Sequence, residues 1–487
     1  MTLIITSTDE TFAKLSGDIT EISRVSSHFQ FQPPGYQFTP IYQMGIWDGY
    51  IYPINKKNGE FKKGLFGSII EVCKELQIDV ILDKHDFAYI DDTLNLCAID
   101  VISDGAGTLI TPYDYQIAGA EYVLKNKRCI IESPTGSGKS LLQYMIIRTL
   151  LNNNYKKILI IVPTVNLVSQ LYTDFIDYSE LDDFSTEDTC HQIAEGAKKN
   201  SDKKVYISTW QSLQNIKDKK YFEEFDAVLV DECHTAKGNA IVKILDKSKN
   251  AKIKCGFTGT LDASLLNKNI LLGLFGNVYV TATTKELMDR GILATLLIKN
   301  INLIHGYQPS MEYSEELDYL VSHEKRNKLI TNLSASLDGN TLILFQLVEK
   351  HGKVLYSMLK EKYPDKEIYL IYGGVKSNKR EEIRKLLETK DNAIVIASYQ
   401  TFQAGINIKK LHNVIFASPS KSKIRVFQSI GRGLRVHNSK EKAVLYDISD
   451  DLRGDKKTPN HTLRHFYERL EMYIKEEFNI KFTELEI

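Results

Sequence analysis

Two series of short apolar runs constrain this chain more tightly than anything else in it. RCIIES, KILIIVP, KVYIST, DAVLVDE and KCGFTGT alternate with helical patterns between residues 106 and 300. TLILFQ, EIYLIYG, AIVIAS, NVIFAS and AVLYDI repeat the arrangement further along. A strand that is apolar at every position is covered on both faces, and strands separated by helices pair in parallel. The expectation is an α/β protein with two parallel-sheet domains in tandem, residues 106–300 and 301–455. At 487 residues the chain is also too long for a single core.

The two ends read differently. Residues 1–105 form a small α+β module. Tyr50-Ile51-Tyr52 leads into Lys56-Lys57-Asn58-Gly59, and Asn-Gly between β-prone runs signals a hairpin. Ile69, Ile70, Cys73 and Leu76 then recur at helical spacing. From Leu463 to Phe478 apolar residues step by three and four after Pro459-Asn460, which predicts a C-terminal helical extension, residues 456–487, packed on the preceding domain.

Composition excludes several classes. Hydrophobic residues at 43% and charged residues at 25% are ordinary for a globular protein. No run approaches the ~18 apolar residues that span a bilayer, and the start MTLIITSTDETFAKL lacks a basic segment ahead of an apolar one. A cytoplasmic protein with no membrane role is expected. Cys73, Cys97, Cys129, Cys190, Cys233 and Cys255 include no CxxC pair, against both a disulfide framework and a zinc module. Net charge is zero, yet residues 1–104 hold 8 Lys and Arg against 15 Asp and Glu, a balance of 8 − 15 = −7. A basic stripe for nucleic-acid phosphates therefore belongs mainly to the later domains.

Ser133-Pro134-Thr135-Gly136-Ser137-Gly138-Lys139-Ser140 lies between an apolar strand and a helical run. Such a loop turns backbone N–H groups and a helix N-terminus toward phosphate oxygens. Lys139 is placed to reach the β and γ phosphates of ATP, and Ser140 to hold Mg2+. Ser133 departs from the small Gly or Ala usual at the first position. Val228-Leu-Val-Asp231-Glu232-Cys-His234 ends a second buried strand, where an α/β sheet places its metal ligand. Asp231 is the Mg2+ candidate there, and Glu232 the base or positioner for an attacking water.

Together with Thr258-Gly259-Thr260 and Gln428-Ser-Ile-Gly-Arg432-Gly-Leu-Arg435, these segments resemble, in order and spacing, the motifs of superfamily 2 helicases over residues 106 to 450. The resemblance implies that both sheets are RecA-like. It makes Gln116 the adenine reader, since an amide both donates and accepts, and places Gly405 in the motif joining nucleotide and strand. Gln428, Arg432 and Arg435 become second-domain catalytic residues, the arginines acting on γ-phosphate charge when the domains close. It further implies nucleic-acid contacts for Thr164, Gln170, Thr209, Trp210 and Thr401, with helix capping a rival role for the threonines. His234 and Thr258 become coupling residues, or structural ones. Where many relatives carry Asp this chain has Asn407.

GYQFTPIYQMGIWDGYIYPI, residues 35–54, followed by KGLFGSIIEVCKELQI, resembles the N-terminal domain of the phage UvsW-type recombination helicases. That implies an ATP-dependent DNA helicase of 3′ to 5′ polarity that unwinds and branch-migrates forks, Holliday junctions, D-loops and R-loops in recombination, repair and replication. Expected partners are single-stranded and branched DNA, with RNA:DNA hybrids, single-strand-binding and recombination proteins as further candidates. A monomer in the host bacterial cytoplasm follows. The alternatives are an RNA or hybrid helicase and a duplex translocase that separates no strands. The aromatics of this segment either stack on bases or pack as core, with core packing preferred for most. Lys56, Lys57, Lys62 and Lys63 either touch duplex phosphates or are simply solvated.

Overall fold

The computed structural model describes the chain except residues 1, 34, 83–93, 100, 194–197, 237–238, 260, 262–264, 307, 404–409, 420–441 and 455–456. Gly405, Gln428, Arg432 and Arg435 lie outside the described residues. Contacts divide the chain into two compact units, Met1–Ser133 with Gly138–Thr281, and Pro134–Ser137 with Ala282–Ile487. No helix among the described residues is long and apolar enough to cross a membrane.

The first unit opens with β1 (Thr2–Ser7), β2 (Phe12–Ser16), β3 (Glu60–Lys62) and β4 (Asp79–Leu82), a sheet in the order β3-β2-β1-β4. Leu3 and Ile5 are buried while Thr2 and Ile4 are exposed, so one face is covered, and Val25 of helix Ile19–Phe29 and Ile69 of helix Phe66–Glu75 join that core. The predicted turn is present. Asn55 Oδ1 accepts from the N–H groups of Lys57 and Asn58. Gly59 has φ +73°, and a Cβ there would lie 2.0 Å from the Leu15 carbonyl oxygen.

The aromatics between residues 35 and 54 correct the preference for core packing. Tyr36, Phe38, Tyr42, Trp47, Tyr50 and Tyr52 all lie outside the buried core, and Phe38 is 81% exposed. They pack on one another instead. Tyr36 and Tyr42 meet edge to face at 4.9 Å, and Trp47 Nε1 donates to the Tyr50 carbonyl. The segment has only short helical turns, Tyr36–Phe38 and Pro40–Gln43, and supplies no strand to the sheet whose face would bury them.

β5 (Arg128–Glu132), β6 (Ile158–Val162), β7 (Cys190–Ile193), β8 (Val205–Thr209), β9 (Ala227–Val230), β10 (Ile253–Thr258) and β11 (Val278–Val280) form the second sheet, ordered β11-β5-β10-β9-β6-β8-β7. Every pairing in it is parallel. Ile131, Ile160, Leu229 and Phe257 enter one apolar cluster, and Ile130, Leu159, Ile161, Val228 and Val230 another. The two-sided burial expected from continuous apolar runs is thus present, because alternate side chains point to opposite faces.

The N-terminal module is joined to this sheet by a polar seam. Lys254 of β10 is buried and donates to Thr11 Oγ1 and to the Leu245 carbonyl. Burial holds its ammonium well below the usual lysine range, with Arg128 adding to the effect. Lys62 pairs with Asp246, and buried Lys63 with Glu10. Lys62 is therefore committed to the seam, and Lys63 is buried in a pair inside the module itself. Lys56 lies over the Tyr52 ring at 4.1 Å, and Lys57 is exposed. A Cβ on Gly64 would sit 2.1 Å from the Leu272 carbonyl oxygen of helix Leu265–Phe275. Gly64→Ala is expected to cost about 1–3 kcal/mol and to speed proteolytic release of the module, both measured against the parent chain.

β12 (Thr295–Ile304), β13 (Thr341–Phe345), β14 (Ile368–Ile371), β15 (Ile394–Ser398), β16 (Asn413–Phe416), β17 (Lys442–Asp451) and β18 (Asn479–Glu486) form the third sheet, ordered β14-β15-β13-β16-β17-β12-β18 and wholly parallel. The C-terminal helix spans His461–Lys475, and buried Arg469 ties it to β17 through a two-pronged ion pair with Asp447. The chain then adds β18, an edge strand that helical periodicity did not announce.

Candidate active site

The candidate catalytic residues of the first unit gather at the C-terminal ends of β5, β9 and β10. The phosphate loop follows β5, with Gly136 and Gly138 at φ +89° and +80°, a left-handed backbone that favours glycine. Gly138 is the N-cap of helix Lys139–Asn152, so the loop delivers the chain directly into a helix N-terminus. Lys139 Nζ donates to the Ser133 carbonyl oxygen at 3.0 Å. Ser133 has its own reason to be serine: its buried hydroxyl accepts from Thr281 Oγ1 at 2.8 Å.

Gln116 is brought beside this loop. It is buried on helix Asp114–Asn126, its Oε1 accepts from the Tyr113 N–H, and its Nε2 would be 2.4 Å from a Cβ on Gly138. The glycine therefore makes room for the amide as well as for the turn.

Asp231 and Glu232 follow β9. Asp231 Oδ1 is buried and has no hydrogen-bond partner among the described residues. Burial, with the neighbouring Glu232 charge, pushes the Asp231 carboxyl up to about 6, while Lys139 and His234 pull it down. A buried carboxylate oxygen without a donor fits a cation or its bound water. Glu232 sits in left-handed backbone, φ 47° and ψ 48°, an uncommon and strained conformation for a non-glycine residue. It turns the chain into Cys233–Thr235, and His234 Nδ1 lies 3.3 Å from Glu232 Oε2 and 2.9 Å from Thr258 Oγ1. The Thr258 carbonyl in turn accepts from the Ser133 N–H at 2.9 Å. One polar path thus runs from Glu232 through His234 and Thr258 to the root of the phosphate loop.

The sequence-predicted strand contacts occupy the same edge of the sheet. Thr164 caps helix Val165–Ser179 and Thr209 caps helix Trp210–Leu213, each accepting with its hydroxyl from a backbone N–H. The capping role is therefore real, and it leaves the hydroxyls partly engaged. Gln211 Nε2 reaches the Pro163 carbonyl and links the two segments, Gln170 is half-buried on the first helix, and Trp210 packs against the apolar cluster.

In the second unit Thr401 is buried on helix Tyr399–Gln403, its hydroxyl accepting from Ser398 Oγ at 2.8 Å. A constellation that sequence reading missed lies nearby. Ser418 Oγ accepts from the Gln346 N–H and contacts His351 Nδ1 at 2.9 Å, while Tyr399 donates to the Ser418 carbonyl. His351 lies in the widened turn Val348–Gly352, and burial holds its imidazole down to about 3, so it is neutral. No sequence signal marked it, because Gln346, His351 and Ser418 stand in separate segments that only the fold brings together.

Nucleotide chemistry at the end of one parallel sheet, followed by a second such sheet in the same motif order, is the organisation of a superfamily 2 helicase core. Residues 109–263 match the family model for the res subunit of type III restriction enzymes, and residues 324–437 the helicase conserved C-terminal domain. Residues 5–83 match the N-terminal domain of the DNA helicase UvsW. The chain is 32% identical over 477 residues to the ATP-dependent DNA helicase uvsW of Enterobacteria phage T4, covering 93% of each chain. It is similar throughout to the crystal structure of T4 UvsW, with 30% identity, a TM-score of 0.52 and 100% of both chains covered. An HsdR-subunit fragment of a type I restriction enzyme from Vibrio vulnificus shares the fold at 19% identity and TM-score 0.57, over 77% of this chain and 67% of that one. The chain belongs to the UvsW family of superfamily 2 helicases.

Proposed function

We propose that this chain is an ATP-driven DNA helicase that moves 3′ to 5′ and branch-migrates forks, Holliday junctions, D-loops and R-loops. The observation that carries the reading is the polar path from Glu232 through His234 and Thr258 to Ser133. It supports a site in which the Glu232 turn, through His234 and Thr258, is held to the root of the phosphate loop, so that both respond to the nucleotide together.

In this reading the loop Pro134–Ser140 cradles the phosphates, Lys139 neutralises the β and γ oxygens, and Gln116 reads the base. Ser140 and Asp231 would hold Mg2+, which when bound spreads the charge developing on the phosphates. Glu232 orients the attacking water and takes its proton. Thr164, Gln170, Thr209, Trp210 and Thr401 steady a nucleic-acid strand through its backbone, so the grip reads no sequence. Gln428, Arg432 and Arg435 keep the catalytic roles that the helicase resemblance implies for their motif.

Thr258→Val keeps the volume but removes the His234 partner. Stimulation of ATP turnover by single-stranded DNA is expected to fall about 10-fold, one hydrogen bond's worth of about 1.4 kcal/mol, with nucleotide affinity unchanged. Polarity is tested by displacement of an oligonucleotide from partial duplexes with a 3′ or a 5′ tail. Displacement from the 3′-tailed substrate supports the reading, and displacement from the 5′-tailed one alone refutes its polarity.

A further inference from the structure

Ser140 is the second residue of helix Lys139–Asn152, and its hydroxyl oxygen lies 2.8 Å from the phenolic oxygen of Tyr178. Tyr178 comes from a different element, near the end of helix Val165–Ser179. Its ring is partly buried against the main apolar cluster of this domain. Tyr144 packs against it at 5.5 Å and 56°, and Tyr144 also meets Phe175 and Phe184. The Tyr178 carbonyl accepts from the Ser103 N–H, fixing the backbone behind the ring. The phenol is thus presented to Ser140 by packing that does not depend on Ser140.

A serine hydroxyl has one proton and two lone pairs. When its oxygen ligates a cation, the proton points away from the metal and needs an acceptor. A phenolic oxygen accepts as readily as it donates. Groups in this position orient metal ligands and raise their affinity.

We propose that Tyr178 is a positioning residue for Mg2+, accepting the Ser140 hydroxyl proton so that the serine lone pairs face the ion. The inference rests on the proposed assignment of Ser140 to Mg2+. It adds a residue from outside the phosphate loop to the metal site, one that no helicase motif used above includes.

Tyr178→Phe deletes one oxygen and keeps the ring that packs on Tyr144. Binding of a fluorescent ADP analogue is titrated with Mg2+, alongside the same binding in EDTA. The Mg2+ concentration at half-effect is expected to rise about 10-fold, while affinity in EDTA stays at the parent value. A purely packing role would move neither. In a Ser140→Ala background the same change should shift the midpoint no further, since the two groups act as one unit. An unchanged midpoint in Tyr178→Phe overturns the proposal, as does a lowered one, which would make Tyr178 a competitor of the ion. If the parent chain itself bound the analogue with no Mg2+ dependence, the Ser140 assignment would fall and the inference with it.

Discussion

A Glu232→Gln chain hydrolyses ATP on saturating single-stranded DNA at least about 10²-fold more slowly than the parent, the usual loss when a general base is removed. Glutamine is nearly isosteric, so the left-handed turn at this position and the contact toward His234 have no steric reason to change. What disappears is the negative charge. Glu232 is also one of the two causes that raise the Asp231 carboxyl, after burial, so its removal lowers the Asp231 pKa. The metal candidate then becomes easier to ionise, and Mg2+-nucleotide binding should be retained or tightened while turnover collapses. Stopped-flow binding and single-turnover hydrolysis separate these effects. Near-parental turnover in this chain would remove Glu232 from the mechanism, and in a Lys139→Ala chain would do the same for the loop lysine.

The second large effect concerns folding. Arg326 is wholly buried, forms a two-pronged pair with Asp450, and donates to the Ala417 carbonyl. His305 Nε2 contacts the same carboxylate at 2.9 Å. Burial alone would raise the Asp450 carboxyl, yet Arg326 and His305 outweigh it and hold it at about 2. Arg326→Met leaves that charge buried without its main partner, and is expected to destabilise the second unit by about 3–5 kcal/mol. Replacing both Arg326 and Asp450 by apolar residues should recover much of the loss, because the desolvation cost disappears with the pair. Urea unfolding of the full chain, followed by a probe in the second unit, reads both values. The sign of the acid response follows from the same pKa. A carboxyl held below its ordinary value contributes stability that is full above about 4 and fades as pH falls through about 2. Neutral, buried His351 adds a loss that begins higher, near 6.5, because the unfolded chain takes up a proton there that the folded chain refuses down to about 3.

Much of this was legible in the sequence, for identifiable reasons. All ten apolar runs are strands of parallel sheets because two-sided burial leaves a compositional mark on every residue. The placement of the candidate phosphate loop after β5 and of Asp231-Glu232 after β9 was legible because phosphate and metal chemistry restrict residue types at fixed spacing. β18 was not. Nearly all its side chains are exposed, so it carries no burial pattern and exists through pairing with β12 alone. The placement of the Tyr36 to Tyr52 aromatics outside the sheet core, mostly half-buried, was equally hidden, since the same residue types suit a sheet core. Lys62 and Lys254 form a seam only because distant segments meet, and a lysine reads as solvated until its partner is known. Ser140 with Tyr178 belongs to the same class, separated by 38 residues in sequence and 2.8 Å in space.

The central claim, that nucleotide hydrolysis at the Lys139–Glu232 site is driven by DNA, is tested most directly by steady-state ATP turnover. The purified chain is compared, at one salt concentration, on single-stranded DNA, duplex DNA, a four-way DNA junction, single-stranded RNA and an RNA:DNA hybrid. The account predicts the strongest stimulation by single-stranded or branched DNA, abolished by Lys139→Ala. Stimulation confined to RNA or the hybrid would contradict it and make this an RNA-directed motor.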